Sequence, residues 1–393
     1  MRILVITEYY RSFFRNGSEV FAHLLIHELC KIHDLTLLAR ATDDADPGLH
    51  IAVPDDIYNT VDNLKHFLIT NVNPYDFDII YNLGGLHFGC FIVKYLREQL
   101  PGLTIVNHFQ LLFAPYGGIE KMSVAKQNLL SKPQVEAASG AALNIFISVN
   151  ELCSAFNHGF KLSSAVAVIS NGIEIRGLEV NRSNPTFQIP LINGCKPIVF
   201  LTSGRFSEYI KGADIAFRAF RRLVCDKKDV YLIAIGPTEK FEFLLKDVPK
   251  ENYHLLEWQT REDLANLFTI ADVMLVPSRY EPFGMIAVEG MAAGLPVIAN
   301  DTGGLSEIVN HQKNGLLNRG GNGWLGFYKC MHEIAFSPEK LAAMSQQARE
   351  AVVEKYNITH IGMEVDKHLR RAMISHKVLE PGYTDKQIMI NEF

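Results

Sequence analysis

The chain has 393 residues, 48% of them hydrophobic and 21% charged, with a net charge of -5. That length is too great for one compact core and suits two domains, and the mild acidity removes any global electrostatic case for nucleic-acid binding. The six cysteines (Cys30, Cys90, Cys153, Cys195, Cys225 and Cys330) form no CxxC pair, which excludes a ribbon-type metal site and favours buried thiols in a reducing compartment.

In chain order, short β-branched apolar runs predict strands at 2–7, 35–39, 78–83, 104–108, 144–148 and 166–170. The opening run is interrupted by Glu8 and lacks the apolar core of a signal peptide. No stretch reaches the roughly 18 apolar residues of a spanning helix, so a cytoplasmic location is expected, with contact at the inner face of a membrane left open. The loop 8–19 holds Tyr9, Tyr10, Phe13, Phe14, Arg11 and Arg15. Those aromatics suit a stacking platform, a lipid-facing patch or simple packing under the loop. Gly17 permits close backbone approach, and Ser18 and Glu19 open a helix whose apolar face is Val20, Phe21, Leu24, Leu25 and Leu29. His108 ends an apolar strand, where a histidine is either a structural hydrogen-bonder or a site residue. Asn171 and Gly172 form a turn.

Residues 181–197 hold three prolines, several asparagines and little periodicity, as a linker should. Beyond them strands are predicted at 198–202, 231–235, 254–257, 273–277, 296–299 and 316–317. Strands alternating with helices imply two parallel α/β sheets. The expected domains are 1–178, a linker at 179–197, 198–370, and a tail at 371–393 that can pack back on the first domain.

Two constellations carry chemistry. After the strand at 198–202, Gly204, Arg205, Lys211 and Gly212 occupy a loop at the carboxyl end of a parallel strand, where such sheets bind ligands. Arginine and lysine together suit a diphosphate, whose developing charge they would stabilise. The second constellation is RYEPFGMIAVEGMAAGLPVI, from 279 to 298. Here a loop with Glu281 leads into a helix that stops at Gly294 with Pro296 beyond. The first N–H groups of that helix, around Phe283, Gly284 and Met285, suit an anion. Glu289 is the one charge on an otherwise apolar helix, so it needs partners: either a structural arginine or a vicinal diol such as that of a ribose.

Glu281 and Glu289, with seven residues between them, resemble the E-x7-E motif of family 4 retaining glycosyltransferases of the GT-B fold, glycosyl transferases group 1. The resemblance implies an α/β fold of two Rossmann-like domains with parallel sheets facing across a cleft, the first binding acceptor and the second donor. It places Glu281 beside the donor sugar, Glu289 on the nucleotide ribose, the backbone of Phe283, Gly284 and Met285 on sugar hydroxyls and phosphate, and Arg205 and Lys211 on the diphosphate. His108 matches the family's histidine near the donor sugar, and Gln259 after Trp258 falls where the family cradles the base. The loop before Glu19 resembles the family's GGxE, with Asn16 in place of the first glycine. ISNGIE at 169–174 resembles its segment before the linker, with Asn171 at the cleft. The segment 235–239 lacks a second glycine often present in the family.

The implied activity is retaining transfer of a hexosyl unit from a nucleotide-diphosphate sugar, UDP-glucose-like first, to a hydroxyl of a glycan, lipid-linked or small-molecule acceptor. No cofactor or metal is expected, since the DxD candidates Asp44-Ala45-Asp46 and Asp76-Phe77-Asp78 read as solvated turn carboxylates. The alternatives are a nucleotide-sugar epimerase of the same fold and a sugar-binding protein without catalysis.

Overall fold

The computed structural model describes the chain except residues 11–16, 43–49, 53–60, 85–86, 114–121, 163–164, 176–186, 207, 240–241, 322 and 379–393. It divides into two compact units. The first runs to Gly172 and resumes at Ile358, and the second covers Ile173–Asn357.

The first unit is built on seven strands: β1 (Arg2–Tyr10), β2 (Asp34–Thr42), β3 (His50–Ala52), β4 (Ile79–Gly84), β5 (Ile105–Phe109), β6 (Leu143–Phe146) and β7 (Ala165–Val168). They lie in the order β3-β2-β1-β4-β5-β6-β7, every pairing parallel. The helices between them are α1 (Gly17–Cys30), α2 (Val61–Asn71), α3 (His87–Gln99), α4 (Val124–Ala138) and α5 (Val149–Asn157). Helices on both faces of a parallel sheet demand continuous apolar strands rather than alternating ones. Ile3, Leu4, Val5 and Ile6 meet that demand, all fully buried. The strand β3 was not expected. Three residues at a sheet edge are too few to show any periodicity.

The second unit holds β8 (Ile198–Ser203), β9 (Val230–Ile235), β10 (Tyr253–Leu256), β11 (Val273–Val276), β12 (Val297–Asn300) and β13 (Gly315–Asn318), in the parallel order β10-β9-β8-β11-β12-β13. Its helices are α6 (Ala213–Asp226), α7 (Arg261–Ile270), α8 (Met285–Ala292), α9 (Leu305–Ile308), α10 (Trp324–Ala335) and α11 (Pro338–Lys355). Phe200, Phe217, Phe220, Leu275 and Phe327 centre its core. The strand order reverses between β8 and β11, so the loops that follow these two strands flank a topological switch point, where open α/β sheets bind ligands.

Both domain boundaries shift from those expected at 178 and 370. Of the linker at 179–197, residues 179–186 lie outside the described residues. The remainder belongs to the second unit: Phe187 packs edge-on against His254 at 5.1 Å between centroids, and Ile192 and Cys195 exchange backbone hydrogen bonds of 2.9 and 3.0 Å across a turn with left-handed Asn193 and Gly194. At the other end, α12 (Ile358–Val378) returns to the first unit. Its buried Ile361, Val365, Leu369 and Ala372 recur at helical spacing and form one apolar stripe on a helix that otherwise reads as polar. The helix packs on α1, where Gly362 leaves room for the Glu28 side chain, and Asp366 Oδ1 lies 2.7 Å from Nε2 of the buried His33. No helix of the described residues is long and apolar enough to cross a membrane.

The packing of α12 makes a direct prediction. Leu369→Ala is expected to destabilise the first unit by about 2–5 kcal/mol, as truncation of a fully buried leucine does. The readout is a lower urea midpoint at unchanged slope. Met363→Ala, at a position 57% exposed on the same helix, is expected to leave the midpoint within error.

Candidate functional site

The site grows from the switch point of the second unit. The chain leaves β8 at Ser203, passes Gly204 and Arg205, makes a 3-10 turn at Tyr209–Lys211, and enters α6 through Gly212 at φ +67°. The next strand in space, β11, delivers the loop that carries Ser278, Arg279 and Glu281 before α8 begins. These loops touch. A Cβ on Gly212 would lie 2.1 Å from the Pro277 carbonyl oxygen, so this position tolerates only glycine on both conformational and steric grounds.

The contact brings Lys211 and Glu281 together. Lys211 Nζ donates to Glu281 Oε2 at 2.8 Å, and Ser278 Oγ donates to the same oxygen at 3.1 Å. Both partners of the ion pair keep some exposure, 20% and 14% of their side chains. Arg205 stands at the other end of the loop, half-exposed, with its guanidinium 3.1 Å from Glu208. Beside it, Gly236 at φ +121° comes so near the Gly204 carbonyl that a Cβ would sit 2.3 Å from that oxygen. The segment after β9 thus contributes through backbone approach, without the second glycine.

The helix α8 starts at Met285, with Gly284 as its N-cap at φ 117°. The Gly284 carbonyl accepts from the N–H groups of Ala287 and Val288 at 2.9 and 3.2 Å. Phe283 is buried and meets Tyr356 edge-on at 5.7 Å. The N–H groups of Met285 and Ile286, ahead of Ala287 and Val288, have no intrahelical acceptor, so partial positive charge gathers at the end of α8 whose N-cap lies near Glu281.

Glu289 lies in α8 among buried Val288, Gly290 and Met291, and burial raises its pKa against the opposing pull of Arg261. Arg261 Nη2 stands 3.8 Å from Glu289 Oε1, beyond hydrogen-bonding distance, and its own side chain is 53% exposed. The alternative of a tight structural ion pair is therefore not what the geometry provides. Gln259, near Trp258, turns its amide to the Glu257 carbonyl at 2.9 Å.

The remaining expected residues lie in the first unit. Gly17, Ser18 and Glu19 form the first turn of α1, and the preceding stretch 11–16 is outside the described residues. His108 sits on β5 with no exposed surface. Its Nδ1 lies 2.7 Å from the Tyr81 hydroxyl, and its Nε2 has no hydrogen-bond partner among the described residues. Burial depresses its pKa to about 3, so the ring is neutral. These contacts, with the Tyr81 hydroxyl and edge-on with Phe21 at 5.5 Å, are those of a structural hydrogen-bonder.

Asn171 is buried and donates to Gln110 Oε1 at 2.7 Å. A Cβ on neighbouring Gly172 would lie 2.8 Å from Ile358 Cα, so the pair Asn171-Gly172 marks the close approach of the returning helix. Asp76 and Asp78 hold turn and backbone groups, accepting from Asn73 Nδ2 at 3.2 Å and Arg2 N at 2.9 Å, whereas Asp44 and Asp46 lie outside the described residues.

Several residues that frame Glu281 escaped the sequence reading. Asn300 at the end of β12 donates to the carbonyls of Pro277 and Ser278 at 2.8 and 3.0 Å, and accepts from Asn318 of β13 at 2.8 Å. Gly304 N donates to the Glu281 carbonyl at 2.8 Å, and a Cβ on Gly303 would lie 2.1 Å from that oxygen. The available signal was the glycine pair at 303–304 directly after a buried strand.

Comparison with known proteins bears on the family of the second unit and on the fold. Residues 187–351 match the family described as Glycosyl transferases group 1. An uncharacterised glycosyltransferase of Methanocaldococcus jannaschii is 30% identical over 240 residues, 57% of this chain and 57% of that protein. The matched stretches span about half the length of the first curated relatives. Two solved structures share the whole architecture. Sucrose-phosphate synthase from Thermosynechococcus elongatus has a TM-score of 0.76 at 18% identity, covering 95% of this chain and 99% of that one. Anabaena HepE in complex with UDP-glucose has a TM-score of 0.75 at 17% identity, covering 94% and 100%. The family match lies within the second unit, and the fold of the chain is the one that these two structures have.

Gly303→Ala tests the framing of Glu281. The methyl group would collide with backbone at a residue whose φ is +52°, so a loss of about 1–3 kcal/mol is expected in chemical denaturation. Ala292→Gly, a small change at the end of the neighbouring α8, is expected to cost about 1 kcal/mol through helix propensity.

Proposed function

We propose that the chain is a retaining glycosyltransferase that moves a hexosyl unit from a nucleotide-diphosphate sugar to an acceptor hydroxyl, with the second unit holding the donor. The observation that carries this reading is the Lys211–Glu281 contact at the switch point, with Arg205 earlier on the Lys211 loop and the N-cap Gly284 of α8 close to Glu281. A UDP-sugar of glucose type is the favoured donor, supported by the UDP-glucose in the complex of the Anabaena relative. A glycan, lipid-linked or small-molecule hydroxyl is the acceptor class.

In this reading Lys211 is held by Glu281 until a donor arrives, and the diphosphate then competes for the ammonium. Lys211, Arg205 and the α8 N–H groups together stabilise the charge that develops on the leaving nucleotide. With that much positive charge supplied by the chain itself, the reaction is proposed to need no metal, and activity is expected to survive chelation with EDTA. Glu281 lies beside the reacting sugar, where its carboxylate stabilises an oxocarbenium-like centre. The leaving phosphate assists deprotonation of the acceptor on the same face, which retains the anomeric configuration. Glu289 accepts from the ribose hydroxyls, two donors for its two oxygens.

Transfer from UDP-glucose across a panel of acceptors, with the product anomer read by NMR, tests the reading. Retained configuration supports it, and epimerised nucleotide sugar without transfer sinks it. Lys211→Met is expected to lower kcat/KM about ten- to hundredfold, the size of a charge-assisted hydrogen bond.

Glu289 sets a pH dependence. The ribose hydroxyls prefer its ionised form, and its pKa lies above the ordinary 4.5 because of burial. Affinity for UDP-glucose, whose phosphate diester charge is constant in this range, is expected to be full above that raised value and to fall as pH drops through it. Calorimetric titration checks this, and Glu289→Gln is expected to bind more weakly with the acid limb flattened.

A further inference from the structure

We infer that Arg279 is a positioning residue that sets Lys211 against Glu281, an inference that rests on the donor reading of this site. Arg279 lies two residues before Glu281, and its side chain is only 11% exposed. Its Nη1 donates to the Tyr209 carbonyl at 2.7 Å and its Nη2 to Asp214 Oδ2 at 2.8 Å. Its backbone N–H donates to the Ile210 carbonyl at 2.7 Å, and its guanidinium lies 3.8 Å over the Tyr209 ring. Its own carbonyl accepts from Thr302 Oγ1 at 3.2 Å.

These bonds join separate pieces of chain. Tyr209 and Ile210 are the first two residues of the 3-10 turn whose third is Lys211, and Asp214 is in the first turn of α6. One side chain from the Glu281 loop therefore grips the Lys211 turn at its start and the helix just beyond it. The Lys211 turn and the Glu281 loop are then held together at the backbone, and their approach does not depend on the ion pair alone. That independence matters once a diphosphate takes the ammonium, because the Lys–Glu contact is the link the ligand removes. Arg279 keeps the loops in register through that exchange.

The task needs arginine. Its planar fork satisfies a carbonyl and a carboxylate at once while its face stacks on tyrosine, and lysine offers a single point charge. Arg279 itself gives both terminal nitrogens to protein groups and is a positioning residue, not a catalytic one.

The test is a double-mutant cycle read by calorimetric titration with UDP, on the full chain. Wild type, Arg279→Met, Lys211→Met and the double variant are compared. Arg279→Met is expected to weaken UDP binding about tenfold, within the range for residues that share one hydrogen-bond network. In the Lys211→Met background the same substitution is expected to change affinity less than about twofold, because Arg279 acts through Lys211. Unchanged affinity in Arg279→Met, or an equal loss in both backgrounds, would overturn the inference, the second outcome marking a purely structural residue.

If Arg279→Met fails to fold, Arg279→Lys replaces it in the same cycle with the same expected sign. Wild-type protein that binds neither UDP, GDP nor ADP overturns the donor reading itself. Wild-type binding with no Arg279 effect overturns only this inference.

Discussion

Where a side chain on residue 212 would strike the Pro277 carbonyl oxygen at 2.1 Å, the chain has glycine, and the two loops of the switch point close on each other. Sheet order determines that these loops meet at all, since β8 and β11 are neighbours although about seventy residues apart. The missing Cβ determines how near they come. Lys211 reaches Glu281 only because of that approach, and the partly buried pair then gains from a local dielectric lower than that of water. The opposite side of the Glu281 loop is closed in the same manner by Gly303 and Gly304, and the buried amide of Asn300, itself held by Asn318, donates to the carbonyls of Pro277 and Ser278. A carboxylate framed this tightly is preorganised, which is what electrostatic stabilisation of a developing charge requires.

The first unit is organised around a different constraint. Its sheet is completed by strands, but α1 is covered by a helix from the far end of the chain. Gly172 and the Ile173–Asn357 bridge mark where the polypeptide passes between units twice, and the apolar stripe of α12 secures the return. Buried polar groups in this unit pair with one another: Tyr81 and His108 share a hydrogen bond, as do Gln110 and Asn171.

Much of this was legible in the amino-acid sequence, for physical reasons. Strands buried on both faces leave continuous apolar runs, so β8 and β11 were expected within a residue or so of where they stand. Glu289 announced itself as a charge on an apolar helix, and its mostly buried carboxylate stands 3.8 Å from Arg261. Glu281 could be placed only by resemblance, because nothing local tells a loop glutamate from a solvated one. Arg279, Asn300 and Gly303 stayed invisible since their roles depend on which loops the sheet order makes neighbours. The domain ends were misjudged because α12 hides a narrow stripe within a polar sequence, and because 187–197 folds as part of the second unit despite its linker-like composition.

A crystal structure of the chain with bound UDP-glucose tests the central claim most directly. The account predicts diphosphate oxygens within about 3 Å of Lys211 Nζ, Arg205 beside them, the ribose hydroxyls on Glu289 and the hexose against Glu281. A nucleotide bound elsewhere, with Lys211 still paired to Glu281 and Glu289 untouched, would contradict it.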